Sequence, residues 1–232
     1  MVVTIIGILA TMMTGVVGAA RRQARQTDCK SNLRQMGVAI LVYRGEHNGA
    51  NPPWLSNLYP EYLDDRRVFI CRSDGRKGTD VIRPADLPQK AEPEKFPEVI
   101  DNDSRIPGRH EAQNKNVYAN SYFYEFSAAI CDWPTDTGQP QTWWEYKEEQ
   151  LRYGDAANGR TPQSPAPYSQ SILPIVRCYH HHREGRIPAY TKDGETRSSA
   201  LSLEGITINV AYAGNVYMGP LWWEGMPEPG EH

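Results

Sequence analysis

The chain has 232 residues, 39% hydrophobic and 23% charged, a balance that suits one globular domain with an appendage and excludes a polytopic membrane protein or a wholly disordered chain. Lys and Arg total 25 against 28 Asp and Glu, a net charge of −3. There is thus no overall basic field to neutralise phosphates, and nucleic acid is not expected as a main partner.

In chain order, the first feature is an apolar run, VVTIIGILATMMTGVVGAA from Val2 to Ala20, with no ionisable side chain. Its length is close to the roughly 20 residues that span a bilayer core as a helix. A cleaved signal peptide would carry its basic residues before the apolar run. Here Arg21, Arg22, Arg25, Lys30 and Arg34 follow it, opposed only by Asp28. From Ala24 to Arg44 the apolar residues Leu33, Met36, Ile40 and Tyr43 recur at three- and four-residue steps. That spacing predicts an amphipathic helix packed on a head. Without a break, Val2 to Arg44 is one helix of roughly 65 Å at ~1.5 Å per residue. Gly45, His47, Asn48, Gly49, Asn51, Pro52 and Pro53 then stop it. The expected division is a helix over 1–46, apolar over 1–20, and a head over 47–232.

A half-helix that is apolar all round needs lipid or other apolar helices around it. The surface that would be buried in a bundle is Val2, Val3, Ile5, Ile6, Gly7, Ile8, Leu9, Met12, Met13, Val16 and Val17. Small residues such as Gly7, Gly15 and Gly18 permit close approach between helices. A plain single-span anchor meets the same need.

The head is rich in Pro, Gly, Trp and Tyr, which predicts short strands and long loops. Strand-like stretches are Arg67 to Arg72 and Tyr118 to Phe126; residues 76–116 are polar and proline-broken and read as a loop insertion. WWEYKEEQLRY, Trp143 to Tyr153, reads as a short helix. Further strands are expected at Ile172 to Tyr179, Ile187 to Tyr190, Ser198 to Leu203, Ile206 to Tyr212 and Val216 to Met218, with Ala213-Gly214-Asn215 as a turn. The fold class expected is α+β: an antiparallel sheet lying on the amphipathic half of the helix.

Three segments, VVTIIGILA at Val2 to Ala10, CKSNLRQMGVAILVY at Cys29 to Tyr43 and LYPEYLDDRRVFICRSDG at Leu58 to Gly75, together resemble the type IV pilin and type II secretion pseudopilin superfamily, whose precursors carry prepilin-type cleavage and methylation signals. GITINVAYAGNVYMGPLWWE resembles the terminal hairpin of the same group. The resemblance implies a pilin-like fold and a structural subunit of a pilus-like or pseudopilus-like filament, not an enzyme. It also implies a homo-oligomer built by bundled N-terminal helices, with an inner-membrane assembly platform as partner. The chain would lie in the bacterial inner membrane before assembly, then in an extracellular filament or on the cell surface. It implies too that a leader and the first mature residues precede Met1. The alternative is a membrane-anchored extracellular binding protein that does not polymerise, its aromatic loops (Trp133, Trp143, Trp144, Trp222 and Trp223) holding glycan or a secreted substrate.

Cys29, Cys71, Cys131 and Cys178 lie far apart without a CxxC pair. A head outside the cytoplasm makes disulfides the default, with three pairings open. The expectation is Cys29 with Cys71 and Cys131 with Cys178; free buried thiols are the alternative. Cys178, His180 and His182 alternate along an expected strand and resemble half of a zinc or copper site, with Arg177, Arg183 and Arg186 opposing a cation. The reading there is a solvated or hydrogen-bonded histidine cluster, with no metal or other cofactor. Asp101 and Asp103 read as solvated loop charges, and no nucleophile, nucleotide or metalloprotease motif occurs.

Overall fold

The computed structural model describes residues 2–75, 77–78, 114, 116–117, 119–128, 130–131, 141–154, 167–184, 186–188 and 203–220, with backbone only for 2–16, 130–131, 186–188 and 203–204. The fold is α+β. Helix α1, Val2–Glu46, runs 45 residues, about 67 Å at ~1.5 Å per residue. It ends where Asn48 and Gly49 take positive φ, 54° and 84°, and the Gly49 amide closes back on the Arg44 carbonyl at 2.8 Å.

Strands β1 (Phe123–Tyr124), β4 (Pro174–Cys178), β7 (Thr207–Ala211) and β8 (Val216–Gly219) form an antiparallel sheet in the order β1-β4-β7-β8. Two small ribbons flank it: β2 (Ile130–Cys131) with β3 (Gln141–Thr142), and β5 (Arg186–Pro188) with β6 (Leu203–Gly205). Cys29, Leu33, Met36, Ile40 and Tyr43 form one buried stripe of α1 that packs with Val176, Cys178, Ile208 and Val210 of the sheet. The crossing is close at Gly37, where a Cβ would stand 2.9 Å from Val210 Cγ1 and 3.3 Å from the Gly214 carbonyl oxygen. Gly214 itself turns β7 into β8 at φ 92°, a conformation glycine adopts without steric cost. Arg44 fastens the helix end to this hairpin, donating to the Tyr212 carbonyl at 2.8 Å and stacking 3.6 Å above the Tyr212 ring.

The stretch expected as a strand at Arg67 to Arg72 is instead a 3-10 turn, Arg66–Phe69, because Asp65 caps it by accepting the Arg67 amide at 2.9 Å. The 76–116 insertion lies almost wholly outside the described residues, as do Trp133, Trp222, Trp223, Asp101 and Asp103. Among the described residues no helix is long and apolar enough to cross a membrane, a statement that does not reach the side chains of 2–16.

Behind the sheet, helix α2 (Trp143–Tyr153) opens with a capping box: Thr142 Oγ1 accepts the Glu145 amide at 3.1 Å while Glu145 Oε2 accepts the Thr142 amide at 2.8 Å. Thr142→Ala is expected to lower stability by about 1 kcal/mol, read from the urea midpoint. An unchanged midpoint would show the cap to be dispensable. Between α2 and the sheet lies a buried charge network, Glu125 with Lys147 and Arg177 at 3.3 Å each.

Candidate metal centre

Three separate segments meet where α1 leaves the head. Cys29 begins the buried stripe of α1. Cys71 follows the 3-10 turn. Cys178 is the last residue of β4, paired with Ile208, and His181 stands on the turn just after it. The three sulfurs and one ring nitrogen of His181 all lie within 4.8 Å of one another, and all four residues are buried, at 1%, 0%, 0% and 0% exposure. Cys71 Sγ and His181 Nε2 are 3.4 Å apart.

Local structure explains the convergence. Asn32, one turn beyond Cys29 on the helix, donates to the Ile70 carbonyl at 3.2 Å and so sets the backbone that enters Cys71. The Ser121 amide holds the Phe69 carbonyl at 2.8 Å from the other side. After Cys178 the strand gives way to a turn, with the His182 amide on the Tyr179 carbonyl at 3.2 Å and the Glu184 amide on the His181 carbonyl at 2.8 Å. The turn swings His181 back beside Cys178. Gly205 of β6 lies against this turn so closely that a Cβ there would overlap the His182 carbonyl oxygen.

A second layer orients the imidazole. Glu184 Oε2 is 2.6 Å from His181 Nδ1, which leaves Nε2 toward the sulfurs. Glu184 is itself held by Ser73 Oγ at 3.1 Å and by Gln26 Nε2 of α1 at 3.2 Å. Burial pushes the Cys178 thiol far above its ordinary range, and hydrogen bonds with Cys29 and Cys71 add to the rise. Those same sulfur contacts, with Cys178 foremost, draw Cys71 far down. For His181, burial works against the charged form, but hydrogen bonds with Cys71 and Glu184 outweigh it and raise the imidazole.

Several expected roles are revised by this arrangement. Cys29, Cys71 and Cys178 are free thiols, so neither expected disulfide is formed here; of Cys131 only the backbone is described. The alternation of Cys178, His180 and His182 fails because β4 stops at Cys178. His180 Nε2 instead lies 3.6 Å from Asp74, and His182 Nδ1 lies 2.9 Å from the Tyr179 carbonyl. The histidine that joins the sulfurs is His181. The signal that could have found it is the Cys178-Tyr179-His180-His181 spacing, a Cys-x-x-His step of the kind that places two ligands on one turn. Leu33, Met36, Ile40 and Tyr43 line the helix-to-head contact. Of the bundle surface, Val17 is exposed, and residues from Val2 to Val16 are helical with side chains outside the described set. Comparison with known proteins returns no matching family model, no matching curated protein and no matching solved structure.

Proposed function

We propose that the chain is a structural subunit of a pilus-like or pseudopilus-like extracellular filament, assembled by bundling of its N-terminal helices. The observation that carries this reading is the mismatch between helix and head. α1 is 45 residues long, yet its buried stripe begins only at Cys29, and from Val17 to Asp28 its side chains are exposed or half-covered. The preceding sequence, Val2 to Ala20, has no charge to keep it in water. Even beside the head the outer face of α1 presents Val38 and Val42 at 55% and 48% exposure. At about 25 cal/mol per Å², a few hundred Å² buried between neighbouring helices contributes several kcal/mol per subunit.

In this reading the chain waits in the bacterial inner membrane, an assembly platform moves it into the fibre, and its partners there are copies of itself. Of the tryptophans on which the alternative of a tethered glycan-binding protein rests, Trp143 is buried and Trp144 half-buried in the head, and Trp133, Trp222 and Trp223 lie outside the described residues. Electron microscopy of sheared cell-surface material should show helical fibres containing this chain. Charge reversal at Arg21, Arg22 and Arg25 together should sharply reduce their yield. Only detergent-extractable monomers, with no fibres, would defeat the filament reading.

A further inference from the structure

We infer that Cys29, Cys71, Cys178 and His181 bind one structural zinc ion, which clamps the long helix to the head at the point where the helix emerges. The donor set is the first argument. Three sulfurs and one imidazole match a closed tetrahedral zinc shell, and soft thiolates disfavour calcium, magnesium and manganese. Scale is the second. Zinc–sulfur bonds of about 2.3 Å and zinc–nitrogen bonds of about 2.0–2.1 Å put tetrahedral ligands about 3.6–3.8 Å apart. Here one such edge is 3.4 Å and none exceeds 4.8 Å. An ion is accommodated by side-chain adjustments of an ångström or less.

A disulfide explains the cluster less well. It would consume two of the three sulfurs and leave the third thiol buried against an imidazole that a carboxylate already orients. The Glu184–His181 contact has the form in which metal-bound histidine is fixed by a carboxylate on its other nitrogen. Glu184 in turn is gripped by Gln26 of α1 and Ser73 of the Cys71 loop, so the second layer ties together the same segments as the first. All four ligands are buried and come from the protein, which leaves no position for substrate and makes the ion structural rather than catalytic. In a head whose central sheet has strands of two to five residues, such a clamp joins helix, loop, strand and turn at one point.

The test uses the full chain, purified in mild detergent under reducing conditions without chelator, so that it does not depend on filament formation. Plasma mass spectrometry should find about one zinc per chain. After exchange, Co²⁺ should give the near-ultraviolet thiolate charge-transfer and visible bands of a tetrahedral sulfur-rich site. Cys29→Ser, Cys71→Ser, Cys178→Ser and His181→Ala should each lose the ion, whereas His181→Cys, which restores a fourth soft ligand, should keep it. Glu184→Gln should weaken zinc affinity roughly 10–100-fold, and His180→Ala and His182→Ala should leave it unchanged. Absence of zinc together with absence of a cobalt–thiolate band in the reduced wild-type chain would overturn the inference. So would zinc retained at full stoichiometry by all four ligand variants. Peptide mapping of chain taken from its native compartment that finds any two of Cys29, Cys71 and Cys178 joined would replace the zinc clamp with a disulfide.

Discussion

Glu125→Ala is expected to destabilise the head by about 3–5 kcal/mol, enough to unfold a marginal domain at growth temperature. Glu125 is 3% exposed and is the shared anion of two cations, Lys147 Nζ and Arg177 Nη1, each 3.3 Å away. Both cations are themselves buried, at 2% and 5% exposure. Removing the carboxylate leaves two positive charges in a site water cannot reach, a loss much larger than that of any exposed ion pair. Other contacts of the two cations soften the loss. Arg177 still donates to Asn209 at 3.2 Å and to the Pro220 carbonyl at 3.4 Å, and Lys147 lies 5.7 Å from the Tyr146 ring. Glu125→Gln keeps the shape and an acceptor and should lose less. The triple replacement Glu125→Leu, Lys147→Met, Arg177→Met should regain much of the stability of the parent, since an apolar substitute avoids the desolvation of all three charges. Urea unfolding of the four proteins checks the order. A loss below about 1 kcal/mol for Glu125→Ala would mean that water enters the network.

The elements marked by periodicity or turn residues, α1, α2 and strands β4, β7 and β8, were legible in the sequence, and the meeting of side chains from distant segments was not. The 3.6-residue recurrence of Leu33, Met36, Ile40 and Tyr43 marks the face of α1 that touches the sheet, because a stripe has only one way to bury itself. WWEYKEEQLRY carries its own cap signal in Thr142 and Glu145, and α2 spans Trp143–Tyr153. The turn at Gly214 needs a positive φ that glycine supplies. RVFICR misled because its β-branched and aromatic residues suit a strand, while Asp65 just outside it fixes a 3-10 turn through one side-chain hydrogen bond. Cys29 sits four residues before Leu33 on the same stripe, so its burial was readable. Its proximity to Cys71 and Cys178 was not, since those separations depend on the tertiary fold. His181 was hidden by a wrong period: alternation selects His180 and His182, whereas one turn begun three residues earlier selects the residue between them.

Leu33→Ala should lower the stability of the chain by about 2–5 kcal/mol, because it opens a cavity midway along the contact on which the whole head is mounted. Leu33 is fully buried one turn from Cys29 and one turn from Met36, within a core that also takes in Phe69 of the 3-10 turn Arg66–Phe69 and Leu55 and Leu58 of a second 3-10 turn, Leu55–Leu58. The Arg66–Phe69 turn cannot easily collapse into the space, since the Phe69 carbonyl is held by the Ser121 amide and the Ile70 carbonyl by Asn32 of α1, so the upper half of the range is expected. Val38, five residues on, points away from the head at 55% exposure, and Val38→Ala should shift the urea midpoint by the equivalent of no more than about 0.5 kcal/mol. The pair separates two duties of one helix. If neighbouring subunits cover the outer face, Val38→Asp leaves the isolated head folded but cuts filament yield. Leu33→Ala weakens the head itself, and fibre yield falls only as far as folded subunit is lost. Equal losses of stability from the two alanine variants would show that the helix does not divide its surface this way.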